Sequence, residues 1–215
     1  MSCNSCHWEG EHDGRTWTFS FAGPRNTTSL LGMVTTYPLR WSAEWDESAD
    51  SEFAITEEQF GTGLLGGEMH PPLGAANAGR SRELDSLALF IDSLVYLPNF
   101  HAGAYDPELM ERGEKVFKDH RTGCLECHSG PYFTDFRVHD VGTADGPLEA
   151  LGPEIDTPTL LGLSRSAPYL HDGSAATLLD VLTTANPEDR HGQTSQLTDR
   201  DMEALVEYML SLTLP

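Results

Sequence analysis

The sequence predicts a mainly α-helical fold of two similar-sized units with long loops, and three observations lead there. Apolar residues recur at helical spacing in a few short segments, Gly, Pro and Asn crowd the stretches between them, and strand-like alternation is scarce and brief. The chain has 215 residues, 39% apolar and 22% charged, a composition that folds and a length that can supply two ordinary cores. No apolar run is long enough to span a bilayer.

The elements follow in order. From Arg80 to Leu97, the residues Leu84, Leu87, Ala88, Ile91, Leu94 and Val95 recur at helical spacing, and Pro98 stops the pattern. Pro98 to Tyr105 reads as a linker. Asp106-Pro107 then opens a helix, with Asp as cap and Pro at the first helical position, running through Met110, Gly113, Val116 and Phe117. A boundary near residue 100 follows, giving an N-terminal unit over 1–100 and a C-terminal unit over 101–215. Thr177, with Asp180 three residues on, caps a short helix to Thr183. The last helix starts after Thr198 and buries Met202, Leu205, Val206, Met209 and Leu210. Residues 10–80 and 129–175 read as extended loops, which suits a cofactor that supplies core the side chains do not.

Acidic residues outnumber basic ones, 34 to 13, for a formal net charge of −21. Nucleic acid is excluded as a partner, because binding phosphates needs the opposite sign. Such acidity serves solubility in high salt, or steers a basic electron-donor protein to the surface.

Two segments carry the chemistry: Cys3-Asn4-Ser5-Cys6-His7 and Cys124-Leu125-Glu126-Cys127-His128. Cysteines three apart on one helical turn face the same way and can add to the two vinyl groups of a porphyrin, with the following histidine beneath the ring as iron ligand. A four-cysteine zinc ribbon needs its pairs much closer in sequence. A redox Cys-X-X-Cys needs a βαβ setting, which is lacking, and a pair of disulfides leaves the histidine after each pair without a purpose. Two covalently bound c-type haems use all four cysteines. His191, just ahead of the final helix, is a candidate sixth ligand of the second haem or an ordinary loop histidine; His12 stands likewise to the first haem, where the loop reading is favoured. Met1-Ser2 is followed at once by Cys3, with no charged and apolar leader and no preceding helix. Thioether attachment follows export, so the chain is expected to be a fragment or module of a longer protein, periplasmic or otherwise extracytoplasmic, with an upstream region fused to it.

Several segments resemble the bacterial di-haem cytochrome c peroxidase and MauG family. They are Gly23-Pro24-Arg25-Asn26, Leu39-Arg40-Trp41, Arg112 to Phe117, Cys124 to Phe136, Asp156-Thr157-Pro158-Thr159-Leu160, and Ala167 to Gly173. The resemblance covers nearly the whole chain. It implies two packed cytochrome c-like domains, each around one covalently bound haem, the N-terminal haem meeting H2O2 and the C-terminal one relaying electrons from a small donor of cytochrome c or cupredoxin type. Trp41 matches the tryptophan between the haems, which an ordinary buried aromatic would also satisfy. Asn26, with the backbone carbonyls of Ser166 and Pro168, matches the ligands of an interdomain calcium ion. Glu58, with Glu57 as rival, is the acid that would move a proton between the peroxide oxygens, unless both are solvated loop residues.

Two positions depart from the family. Thr18 stands where the peroxidases carry a distal histidine, which implies a first haem open from the start. Ala185 stands where they carry Met, or MauG carries Tyr, as sixth ligand of the second haem. The resemblance therefore implies a peroxidase-like enzyme, with an electron carrier lacking peroxidase activity, or a MauG-like oxidase acting on a protein substrate, as alternatives.

Overall fold

The structure is a computed structural model that describes residues 2–99 and 103–214. The expected unit boundary between residues 100 and 101, and part of the expected linker, lie outside the described residues. Strands β1 (Thr16–Phe19) and β2 (Gly23–Asn26) form an antiparallel hairpin that pairs Thr16 with Asn26 and Phe19 with Gly23. Helix α1 (Ser51–Phe53) runs on as a π turn over Ala54–Glu58, and α2 spans Arg82–Asp92. Then come α3 (Pro107–Lys118), α4 (Cys124–Cys127), a second hairpin of β3 (Val138–Asp140) and β4 (Glu154–Asp156), α5 (Leu178–Leu182) and α6 (Asp199–Ser211). The described chain is thus mainly helical with little sheet.

Local chemistry explains the helix starts. The Asp106 carboxylate accepts the amide protons of Glu108 and Leu109 at 2.8 and 3.4 Å, with Pro107 filling the first helical position, as expected. Thr177 with Asp180, and Thr198 with Asp201, close capping boxes at α5 and α6. Helix α2 is shorter than its pattern predicts. It ends at Asp92 because the chain then makes another contact, the Leu94 carbonyl accepting the Gly32 amide at 2.8 Å, so Leu94 and Val95 lie beyond the helix. Helix α1 lies inside a stretch expected to be loop, and the hairpins account for the few strand signals.

The two halves repeat one design. Each hairpin leads into a Leu-Leu-Gly sequence, at 30–32 and at 160–162, whose glycine has a positive φ (74° and 81°) and caps a 3-10 turn, Met33–Thr35 in one half and Leu163–Arg165 in the other. Each turn is followed by a single β-bridge, Leu39 with Trp45 and Tyr169 with Ala175.

Their cores differ. In the second half Phe117, Leu160, Leu178, Leu182, Leu205, Met209 and Leu212 form one buried cluster where α3 crosses α6. In the first half Leu39, Trp45, Ala49, Leu84 and Ile91 are buried beside polar groups, including Asp50, Glu52 and Asn77. Asn77 is held on all sides, its amide nitrogen donating to Asp50 and the His70 carbonyl, both at 3.0 Å, and its oxygen accepting from the His70 amide at 2.8 Å. Large apolar side chains there, among them Phe60, Leu89, Phe90, Val95 and Leu97, remain exposed.

The crossing of α3 and α6 depends on Gly113, where a Cβ would run into the Ala204 carbonyl and the Tyr208 Cβ. Gly113→Ala is therefore expected to cost about 1–3 kcal/mol by overpacking, read as a lower urea midpoint at unchanged slope. Gly146→Ala, which meets open space, should shift stability by less than about 0.5 kcal/mol.

Candidate functional site

The two Cys-X-X-Cys-His segments take related but unequal forms. The second lies on α4, entered through Gly123 at φ 76°, and the first on a 3-10 turn, Cys3–Ser5. All four cysteines are free thiols, and desolvation pushes those of Cys6, Cys124 and Cys127 up. Both histidines are oriented through Nδ1. His128 Nδ1 lies 3.0 Å from the Phe133 carbonyl and His7 Nδ1 3.3 Å from that of Glu11, contacts that place the proton on Nδ1 and leave Nε2 as a lone pair. Desolvation pushes both imidazoles below the usual histidine range, which keeps them neutral and able to bind a metal.

His191 stands opposite His128. Their ring centroids are 6.2 Å apart and tilted by 39°, a spacing that admits one metal atom between two imidazole nitrogens at about 2 Å each. Nδ1 of His191 is buried with no hydrogen-bond partner among the described residues, and burial with the neighbouring His128 takes its pKa down to about 4. Asn186 holds the loop in place, accepting the His191 amide at 2.8 Å and donating to the Gly192 carbonyl and Thr194 Oγ1, both at 2.9 Å. Sequence reasoning missed Asn186; its signal was the Asn-Pro turn six residues past the start of the short helix's acidic cap. Thiols paired with an imidazole lone pair and a second, facing imidazole are the donor set of a covalently held haem, and the residues fit that group. Cys127, Asp135 and His139 also place ligand atoms within 4.8 Å of one another, but His139 Nε2 already pairs with Asp135 at 2.8 Å and a thioether at Cys127 would take the thiol out of the cluster.

The halves meet at Trp41. Its indole N–H donates to the Asn26 carbonyl at 2.8 Å, and its ring lies edge-on to that of His171, with centroids 6.4 Å apart at 75°. The Asn26 amide donates to the His171 carbonyl at 2.5 Å and the Asp156 amide to the Trp41 carbonyl at 2.8 Å. These bonds are equivalents under the repeat, since Asn26 ends β2 and Asp156 ends β4. The structure brings Asn26 to Pro168, Nδ2 reaching its carbonyl at 2.6 Å and that of Leu170 at 3.3 Å, while Asn26 Oδ1 is buried without a partner among the described residues. Here the amide nitrogen, not the oxygen, faces those carbonyls; a half-turn of the Asn26 amide would put Oδ1 beside them, an oxygen set that suits a hard cation. Ser166 lies on the same loop, at the end of the 3-10 turn.

Other expected residues fall differently. Glu58 is nearly buried at the end of the π turn and pairs with Arg40, Nη1 to Oε1 at 2.5 Å, next to Trp41 in sequence, whereas Glu57 is exposed. His12 engages the backbone with both nitrogens, accepting the Gly14 amide at Nδ1 and donating to the Arg165 carbonyl from Nε2 at 2.5 Å. That removes it as an iron ligand and makes it a contact between halves. Thr18 is exposed on β1. Among the described residues no helix is long and apolar enough to cross a membrane.

No family model matches the chain. The γ subunit of hydrazine synthase from Kuenenia stuttgartiensis is 30% identical, across 98% of this chain and 72% of that protein. A solved structure of hydrazine synthase from the same organism superposes with a TM-score of 0.74 at 27% identity, covering 98% of this chain and 81% of the other. MauG of Methylorubrum extorquens is 34% identical over 85% of this chain and 62% of its own length, and cytochrome c551 peroxidase of Nitrosomonas europaea 28% over 86% and 66%. The chain thus spans about two thirds of the latter two proteins.

Asp156 has a titration that can be read directly. Desolvation, then the Asp135 charge, raises its carboxyl to about 8, and its Oδ1 is buried without a partner among the described residues. The folded state therefore binds a proton that the unfolded state has released, so stability from this group is full below about pH 4 and is lost as pH rises toward 8. Asp156→Asn, which matches the protonated form and the residue at Asn26, should raise stability at pH 8 on the order of a few kcal/mol and change little at pH 4. Urea unfolding of variant and parent across that range measures the difference; parallel curves would refute it.

Proposed function

Because the chain belongs to the di-haem cytochrome c peroxidase and MauG family, we propose that it holds two covalent c-type haems and reduces H2O2 at the N-terminal one, with electrons relayed through the C-terminal one. One of its relatives in that family is named as a peroxidase, an oxidoreductase. Cys3, Cys6 and His7 would hold the first haem, and Cys124, Cys127 and His128 the second, in two cytochrome c-like units meeting near residue 100. The observation that carries the reading is the His128 and His191 pair at 6.2 Å. His128 and His191 would together hold the iron of the second haem, which suits electron transfer and leaves peroxide chemistry to the first half. Haem bound at these sites supplies the redox change itself.

The chain's own residues do the rest. Phe133 and Glu11 orient the two ligand imidazoles through their carbonyls. Glu58 would take a proton from one peroxide oxygen and return it to the other, so that water can leave, with Arg40 fixing the carboxylate. Asn26, with the carbonyls of Ser166 and Pro168, would hold calcium across the halves. A small basic protein of cytochrome c or cupredoxin type suits the acidic surface as electron donor, and the setting is periplasmic or otherwise extracytoplasmic, since thioether attachment follows export.

The test is to mature the chain in a host that attaches c-type haem after export and to follow its spectrum and peroxide turnover. One low-spin and one high-spin haem are expected, His191→Ala turning the low-spin one high-spin. Glu58→Gln should lower kcat about 10²–10⁴-fold with Glu57→Gln unchanged. Two low-spin haems inert to peroxide would make the chain an electron carrier instead.

A further inference from the structure

The contact between Trp41 and His171 belongs to a larger buried group. His171 is 1% exposed, and its Nε2 lies 2.8 Å from Glu149 Oε1. The other oxygen of Glu149 accepts from Arg25 Nη1, also at 2.8 Å, and the side chains of Arg25 and Glu149 are 7% and 6% exposed. Arg25 lies on β2, Glu149 on the loop between β3 and β4, and His171 after the Tyr169 bridge, so three separate segments converge behind one imidazole. An ionised carboxylate only accepts, so Nε2 donates its proton to Glu149, while Nδ1 is buried without a partner among the described residues. Arg25 and Glu149 cancel each other's charge, and the imidazole is fixed in tautomer and in angle.

The repeat sharpens the point. Trp41 and His171 hold equivalent places after equivalent turns, and each offers its backbone carbonyl to the other half's strand end. The indole is pinned by its bond to the Asn26 carbonyl and the imidazole by Glu149. Two rings from the two halves, His171 fully buried and Trp41 half-buried, are each anchored by a hydrogen bond and meet edge to face.

We propose that electrons cross between the halves through a Trp41–His171 pair rather than through Trp41 alone, with Glu149 and Arg25 as positioning residues. The inference rests on the di-haem peroxidase reading above. In each passage one electron, from the donor protein by way of the second haem, moves toward the first haem and finally to H2O2. The pair is left unchanged, and no proton needs to leave or enter it, because Nε2 keeps its proton on Glu149 and the indole N–H stays on the Asn26 carbonyl. Tunnelling weakens steeply with gap width, so a side chain that opens the ring contact slows the passage without altering either end.

The mature di-haem chain, reduced by a flash at one haem, gives the rate of electron equilibration between haems, and a spectroelectrochemical titration gives both potentials. His171→Leu is expected to slow equilibration at least 10-fold with both potentials unchanged, and Glu149→Gln to slow it less. Trp41→Phe should slow it comparably, and the Trp41→Phe, His171→Leu double variant no further than either alone, because the two residues act as a unit. His171→Gln keeps a donor to Glu149 and serves where the leucine variant does not fold, with the same slowing expected. Wild-type rates in the His171 variants, with Trp41→Phe slow, would overturn the pair and leave Trp41 as sole relay. A wild-type rate in Trp41→Phe would instead sink the relay reading itself.

Discussion

Two backbone hydrogen bonds hold the arrangement on which everything else depends: the Asn26 amide to the His171 carbonyl and the Asp156 amide to the Trp41 carbonyl. Each joins the end of one half's hairpin to the turn that presents a ring in the other half. Because donors and acceptors are main chain, their geometry is set by loop shape and not by which side chain each position carries. That is how chemically different rings can occupy matching places. A buried amide without its partner would cost on the order of 1–3 kcal/mol, so any shift that breaks either bond while the seam stays closed is penalised, and the Arg25–Glu149 pair and the Thr16 contact to the Asp172 carbonyl at 2.8 Å act on the same seam.

The two halves solve the packing problem differently. In the second, α3 and α6 cross closely enough to need Gly113 and enclose a connected apolar cluster. In the first, the order comes largely from carboxylates and an amide caging backbone: Glu52 accepts the Leu64 and Leu65 amides at 2.8 Å, and Glu47 with Asp50 surrounds Asn77. Such networks specify a shape but bury little apolar area. Leu89, Phe90, Val95 and Leu97 stay exposed on the segment whose Leu94 packs beside Gly10, just past His7. A porphyrin attached at Cys3 and Cys6 would give those side chains an apolar surface to cover.

What was legible in the sequence was local. The Asp106-Pro107 start, the Thr177–Asp180 cap, the start after Thr198 and the Cys-X-X-Cys-His turns depend on residues within five positions of one another, and each takes the expected form in the fold or one close to it. The end of α2 was not legible, because Leu94 leaves the helix for Gly32, a partner far along the chain. Glu149 gave no signal for the same reason: nothing near it in sequence says that Arg25 and His171 will converge on its carboxylate. His191 was visible as a candidate sixth ligand of the second haem or an ordinary loop histidine, and only the fold brings its ring to 6.2 Å from that of His128. The internal repeat is written in the chain itself, in Leu-Leu-Gly at 30–32 and 160–162, and counting onward from those two triplets makes Trp41 and His171 equivalent positions.

The buried Arg25–Glu149–His171 group is poorly explained as a source of stability. Desolvating an ion pair costs several kcal/mol per charge, and apolar replacements of similar volume often stabilise a fold as well or better. What an apolar trio could not do is fix the tautomer and tilt of one imidazole. The same logic separates the equivalent positions of the repeat, where Asn26 is neutral and offers both a donor and an acceptor, while Asp156 reaches neutrality by keeping its proton. Neither of these two equivalent side chains therefore places a charge at the strand ends beside the rings. For a contact that would pass electrons repeatedly, fixed rings in an electrically quiet setting are a requirement, whereas extra stability is not, and that requirement accounts for polar groups being buried at this place in the chain.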